Sequence, residues 1–268
     1  MTVITSRQNP VVTYLSKLSE KKYRDAERLF LLDGVKLVKE AMQSPLTIEH
    51  IVLREDAVKL YGDLVLNAQT DARVSVLSEA AFERVTDEKA PQGIVAAVRY
   101  SDGIKRRYSS PSELPNGQLL VLDAIQNPDN FGAILRSAAA FGVSGAVCGS
   151  GCADVYGRRV MRGSMGAALR VGCVYTDSLA ELCRDASASG RRIVATVPRE
   201  GASVAPLFDF RDDDMIVIGN EGHGISSEIL TLADEAVYIP MEKQQESLNA
   251  AVAASVVLYE MYRQRYGK

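Results

Sequence analysis

Several features that would classify a chain at once are missing from this one. Its only two histidines, His50 and His223, lie far apart. Four cysteines, Cys148, Cys152, Cys173 and Cys183, fall in one half of the chain without the paired short spacers of a zinc site. They read as reduced residues that pack like small apolar side chains, and no metal is implied. No stretch of about eighteen apolar residues runs without a charge, and the opening MTVITSRQNP lacks an apolar core behind a basic stub. Membrane spanning and secretion are therefore disfavoured, and a cytoplasmic location is expected. A large charge excess is missing too: 31 Lys and Arg against 34 Asp and Glu leave a net charge of −3. That balance excludes a partner held by whole-molecule charge, so a polyanion would have to meet a local patch. Neither G-x-x-x-x-G-K-[ST] nor a strand-to-helix G-x-G-x-x-G occurs, which removes ordinary kinases, GTPases and dehydrogenases.

What remains is a soluble, foldable chain of 268 residues, 47% hydrophobic and 24% charged. That length accommodates one large or two modest domains, each with its own core. The stretch SDGIKRRYSSPSELPNGQ combines Gly, Pro, Ser and a basic run between two regularly patterned segments, the composition of a linker. Two domains are expected, residues 1–105 and 118–268, joined by 106–117. Residues 1–108 carry 17 Lys and Arg against 15 Asp and Glu, and residues 109–268 carry 14 against 19. The front half is the one biased toward anions.

In the front half, residues 11–18 and 35–42 have helical spacing, while 48–53, 74–77 and 94–98 are short β-branched runs that suit strands. A small α/β sandwich is the expected fold. Its first helical region gathers Arg7, Lys17, Lys21, Lys22, Arg24 and Arg28, either a solvated face or one that contacts phosphates. The back half alternates strands (119–122, 145–147, 192–196, 215–219, 236–239) with helices (131–141, 155–162, 178–187, 226–233, 248–263), the rhythm of a parallel sheet. Ligands on such sheets collect at the carboxyl ends of strands.

Three strings stand at those ends. In LDAIQNPDNFGAILRSAAAFGV, Asp129 or Asn130 is positioned to cap a helix, and Arg136 lies nearly two turns beyond Asn130. In IVIGNEGHGIS, a strand enters a glycine-rich turn carrying one acid, Glu221. In IPMEKQQESLNAAVAASVVLYEMY, Ser247 and Asn249 stand at the start of a helix of small residues, and either could simply cap it. Each string alone has an ordinary structural explanation.

In this order, however, NFGAILR, IVIGNEGHGI and IPM…ESLNAAVAASVVLYE resemble the SpoU/TrmH branch of the SPOUT superfamily, S-adenosylmethionine-dependent RNA ribose 2′-O-methyltransferases. The similarity extends over most of residues 118–262. ITSRQNPVV, KYR and LDGVKLVKEA more weakly resemble the substrate-binding domain that often precedes it, itself similar to a ribosomal RNA-binding protein. Connections in proteins rarely thread loops. The resemblance nevertheless implies an α/β fold with a parallel sheet, a trefoil knot within about residues 192–262, and a homodimer formed through the C-terminal domain. It places Asn130, Arg136, Glu221, Ser247 and Asn249 at the reacting end. Thr196, Gly219, Ile239 and Leu248 would contact S-adenosylmethionine. Arg162 also matches an arginine string of the family and, with Arg158 and Arg159, makes the best basic patch of the acidic half. Lys21, Lys22 and Arg24 are the RNA-contacting candidates of the front half.

Methyl transfer to a ribose hydroxyl needs in-line orientation and loss of the hydroxyl proton. A guanidinium has no acceptor, so Arg136 suits stabilisation of developing alkoxide charge, with the proton passing to a phosphate, Glu221 or water. The ribose hydroxyl makes RNA rather than DNA the substrate. Ribosomal RNA is favoured over transfer RNA by the front domain's resemblance. A base nitrogen as acceptor and a non-catalytic RNA adaptor are the competing readings.

Overall fold

In the computed structural model, which describes residues 2–68, 71–198, 201–242 and 247–267, every strand expected from β-branched runs is present. The chain divides into two units, residues 1–101 with 156–166, and residues 102–155 with 167–268.

The first unit begins with β1 (Val3–Ile4), α1 (Pro10–Lys17), α2 (Lys21–Glu27), β2 (Leu29–Asp33) and α3 (Val35–Met42). It continues through β3 (Ile48–Arg54), α4 (Val58–Leu66), β4 (Arg73–Leu77), α5 (Glu79–Phe82) and β5 (Ile94–Arg99). The sheet runs β1-β4-β3-β5-β2, with β1, β4 and β3 parallel and β5 antiparallel to both its neighbours. Helix α1 starts where Asn9 Oδ1 accepts the amide of Val11 at 2.9 Å and Pro10 fills the first helical position, whose N–H would have no partner anyway. It buries Val12 and Leu15 with Leu31, Val52, Phe82 and Val95. Strand β2 was not legible. Only Arg28, with φ 55°, separates it from α2, so the sequence shows no break of composition there.

The second unit contains β6 (Lys105–Arg107), β7 (Leu119–Leu122), α6 (Pro128–Ala140) and β8 (Gly145–Cys148). The chain then contributes α7 (Arg158–Gly163) to the first unit. After it come β9 (Cys173–Tyr175), α8 (Leu179–Ala188), β10 (Ile193–Thr196), β11 (Ser203–Val204), β12 (Met215–Ile218), α9 (Ser227–Leu232), β13 (Glu235–Tyr238) and α10 (Ala250–Tyr266). Eight strands in the order β11-β13-β10-β12-β7-β8-β9-β6 pair in parallel throughout. Strands β7, β8 and β12 are buried along their whole length, as expected when both faces of a parallel sheet are covered.

The segment read as a linker is partly structural. Lys105–Arg107 forms the edge strand beside β9, where charged side chains are tolerated: Lys105 pairs with Asp154 at 2.7 Å and Arg107 with Asp177 at 2.8 Å. Cys148, Cys173 and Cys183 are buried. Burial pushes the Cys152 and Cys183 thiols up to about 12, so both remain protonated at neutral pH.

Candidate active site

Strands β7, β10, β12 and β13 deliver the chain to one end of the sheet, and three loops there make the site. After β7, the turn from Asp123 includes Ala124 in the left-handed region (φ 54°). Asn127 then caps α6, its Oδ1 accepting the Asp129 amide at 2.9 Å with Pro128 at the first helical position. The sequence had offered Asp129 or Asn130 for this cap. Because Asn127 does it, the Asn130 amide is available to the site.

After β12, the loop folds back on itself at Gly219. A Cβ there would lie 2.3 Å from Gly224 C and Ile225 N, so only glycine permits this approach. Asn220 and Gly224 exchange two backbone hydrogen bonds, of 2.9 and 3.0 Å. The Asn220 side chain, not singled out from the sequence, secures the loop: Oδ1 accepts the amides of Gly222 (2.9 Å) and His223 (3.1 Å), and Nδ2 donates to Ala124 O (2.7 Å). An asparagine placed just past a strand and before a glycine turn was the available signal.

Three of the predicted polar residues converge here. Asn249 Nδ2 donates to Asn130 Oδ1 at 3.0 Å, and Asn130 Nδ2 donates to Glu221 Oε1 at 3.0 Å. The same carboxylate oxygen accepts the backbone amide of Asn127 at 3.3 Å. Burial raises the Glu221 pKa, but hydrogen bonds from Asn130 and from backbone amides outweigh it, holding the carboxyl below its ordinary value. Glu221 is therefore ionised at neutral pH, a fixed acceptor that orients the Asn130 amide.

Beside this chain lies a cavity of ≈ 430 Å³, within the range of small-molecule sites. All four residues expected to contact the cofactor, Thr196, Gly219, Ile239 and Leu248, line it, together with Glu221 and Ser247. Thr196 Oγ1 is buried without a hydrogen-bond partner, an expensive state unless a ligand supplies one. An apolar lining, exposed backbone edges of a glycine loop and one orphaned hydroxyl fit a nucleoside cofactor.

Arg136 stands apart. It is exposed on α6, about 9 Å along the axis from Asn130, and does not line the cavity. The arginines expected to meet RNA are divided. Arg24 is buried and donates to the carbonyls of Leu18 (3.2 Å) and Ser19 (2.7 Å), closing the α1–α2 turn rather than facing solvent. Arg158 is buried with Asp87 3.7 Å away, and Arg162 pairs with Asp87 at 2.9 Å and with Glu88. Both charges are thus engaged by acids that sequence spacing could not reveal. Arg159, Lys21 and Lys22 remain exposed, and Lys21 pairs with Asp25.

Comparison with known proteins gives the family. Residues 117–259 match the SpoU rRNA Methylase family, and residues 9–96 match the MRM3-like substrate binding domain. The Bacillus subtilis protein named 23S rRNA (guanosine(2553)-2′-O)-methyltransferase RlmP is 30% identical over 97% of this chain and 99% of its own. An AdoMet-bound rRNA methyltransferase from Sinorhizobium meliloti superposes with a TM-score of 0.83 at 25% identity, covering 98% of both chains. The SpoU methyltransferase AviRb from Streptomyces viridochromogenes, in complex with AdoMet, gives 0.83 at 26% identity over 97% of this chain and 99% of that one. Fold and site together define an α/β RNA methyltransferase that uses S-adenosylmethionine. The chain belongs to the SpoU rRNA methylase family.

Proposed function

We propose that this enzyme methylates a ribose 2′-hydroxyl in ribosomal RNA of the large subunit, with the cofactor in the ≈ 430 Å³ cavity. The observation that carries this reading is the Asn249–Asn130–Glu221 chain of hydrogen bonds at the cavity's edge. When bound, S-adenosylmethionine supplies a methyl group on a positively charged sulfur. Thr196 Oγ1 and the backbone of the Gly219 loop would hold it, with Ile239 and Leu248 packing on its apolar parts.

The protein's task is then orientation and charge. Glu221 fixes the Asn130 amide, and Asn249 fixes it from the other side, so a ribose entering beside Ser247 meets a rigid polar edge. Arg136 donates to the oxygen as alkoxide charge develops, while a substrate phosphate or water takes the proton, since Glu221 is held ionised by Asn130 and backbone amides.

Because Arg136 lies off the cavity, we read the working form as a homodimer. Val252, Val256 and Tyr259 of α10 are 48%, 40% and 54% exposed at helical spacing. With Ala133 of α6 they line an open apolar groove, one turn from Arg136. A second copy seated there would bring its Arg136 toward this site. A trefoil knot within about 192–262 is the reading of the last third: the segments after β10, after β12 and before α10 all contribute to one cavity wall. Residues 1–105 would capture RNA and 118–268 perform transfer, and the match of residues 9–96 to a substrate-binding domain supports the division. A cytoplasmic location accords with that substrate.

Incubation with methyl-labelled cofactor and separated ribosomal and transfer RNAs tests this. Label in a linkage resistant to alkali, mapped to one large-subunit position, is expected. Label confined to transfer RNA, or recovered on a base, overturns it.

A further inference from the structure

The first unit contains a ladder of rings that leads from its core to solvent. Phe30 and Tyr156 lie 4.6 Å apart between centroids, and Tyr156 stacks on Tyr100 at 3.9 Å and 17°. The Arg28 guanidinium carbon sits 5.0 Å above the Tyr100 ring and ends the ladder. Phe30 and Tyr156 are fully buried, Tyr100 is half-buried, and Arg28 is exposed.

Arg28 is held there by its backbone. It has φ 55° and ψ 37°, a conformation uncommon for a side-chain-bearing residue. Its amide donates to Arg24 O, and its carbonyl accepts the amide of Tyr100 at 2.8 Å. The Tyr100 hydroxyl donates to Asp25 Oδ1 at 2.9 Å, which fixes the ring. Three other cations of the first unit are paired with acids: Lys21 with Asp25, Arg7 with Glu83 and Arg99 with Glu49. Among the described residues no carboxylate pairs with Arg28. A flat, permanently charged group is therefore exposed at the surface over an aromatic ring. On α2 the Lys22 ammonium also lies over a ring, 4.7 Å from the Tyr23 centroid, but without a plane to offer.

We infer that the Arg28–Tyr100 stack is a platform for an unpaired nucleobase of the substrate RNA, the base lying on the outer face of the guanidinium. This rests on the reading of the enzyme as RNA-modifying and names how the front unit grips its substrate. Planar stacking on arginine and aromatic rings is the common way proteins hold bases outside a duplex. A phosphate contact would also use the guanidinium plane, but it would not need the ring beneath and would be made to a duplex as readily as to a single strand.

The test uses the full chain with two probes, a single-stranded oligoadenylate of about twelve nucleotides and a blunt RNA duplex of equal length. Arg28→Lys keeps the charge and loses the plane. Arg28→Gly removes the side chain at a position whose backbone suits glycine, so folding is retained. Both variants are expected to bind the single strand about fivefold or more weakly, the lower end of what one stacked base contributes. Arg28→Lys should leave duplex binding within twofold of the parent and the salt dependence unchanged. Lysine matching arginine on the single strand, or equal losses on both probes, overturns the platform while leaving RNA capture intact. A parent chain that binds neither probe nor ribosomal RNA overturns RNA capture itself.

Discussion

Asn249 uses the two ends of one amide for two purposes: its Oδ1 caps α10 through the amides of Ala251 (2.9 Å) and Val252 (3.3 Å), and its Nδ2 donates to Asn130 Oδ1 at 3.0 Å. Helix start and the polar edge beside the cavity are thus set by one residue. Asn249→Asp keeps a good cap but turns the donor into an acceptor facing another acceptor. The melting temperature should change little, while kcat falls roughly tenfold to a hundredfold, about 1.4–2.8 kcal/mol of barrier. Unchanged turnover would mean that the amide chain takes no part in orienting the ribose.

Glu221 gives a pH expectation. Its folded pKa lies below the ordinary 4.5, the hydrogen bonds from Asn130 and backbone amides outweighing the opposing effect of burial. A lowered carboxylate pKa contributes stability that is present above the unfolded value and is lost as pH falls through the folded one. The stability advantage of the parent over Glu221→Gln should therefore be full and constant above about pH 4.5 and shrink as pH falls below it. Between about pH 6 and 9, Glu221→Gln should lower kcat without altering the profile's shape. An inflection near neutrality that vanishes in the variant would show Glu221 to be the titrating base instead.

Thr196→Val separates the free protein from the loaded one. Without ligand, the buried unpartnered Oγ1 is a cost of about 1–3 kcal/mol, so valine should leave the melting temperature unchanged or raise it by a few degrees. Cofactor affinity by calorimetry should fall about tenfold. Equal or tighter binding by the variant would remove the hydroxyl from the cofactor site.

Under the sheet, at the end away from the cavity, Arg192 makes a two-point contact with Asp214, Nε to Oδ1 at 2.8 Å and Nη2 to Oδ2 at 2.7 Å. The Asp214 side chain is fully buried. Arg192→Met should cost about 3–5 kcal/mol and on the order of 10 °C, because it leaves a buried carboxylate without its cation. Urea and thermal denaturation measure this, and a loss under 1 kcal/mol would mean water reaches Asp214.

The sequence was informative where chemistry repeats along the chain. Strands β7, β10 and β12 appear as unbroken apolar runs, and the Asn130, Glu221 and Asn249 strings fall at strand ends in the sequence pattern itself. It was silent where one side chain answers another from far away. Arg158 and Arg162 look like an RNA patch because Asp87, which engages both, is some seventy residues earlier. Arg24 looks like surface charge because its carbonyl partners belong to a turn. Strand β6 looks like a linker because edge strands accept the residues that loops prefer. Asn127 was passed over as a cap in favour of its neighbours, since three candidate capping residues lie within four positions.

Helix α7 and Tyr156 belong to the first unit although they are encoded between β8 and β9 of the second. Tyr156 lies on Tyr100 and Phe30, its hydroxyl donating to Ser101 O at 2.9 Å, and Arg158 and Arg162 neutralise Asp87. On a growing polypeptide the amino-terminal unit is thus unable to complete its core when its own sheet has been synthesised. It must wait until residue 166 has emerged, with β7 and β8 already made, so the order of translation and the order of folding differ in this chain. A fragment ending at Ser101 would lack that wall, and expressing the front unit alone requires residues 156–166 to be supplied as well.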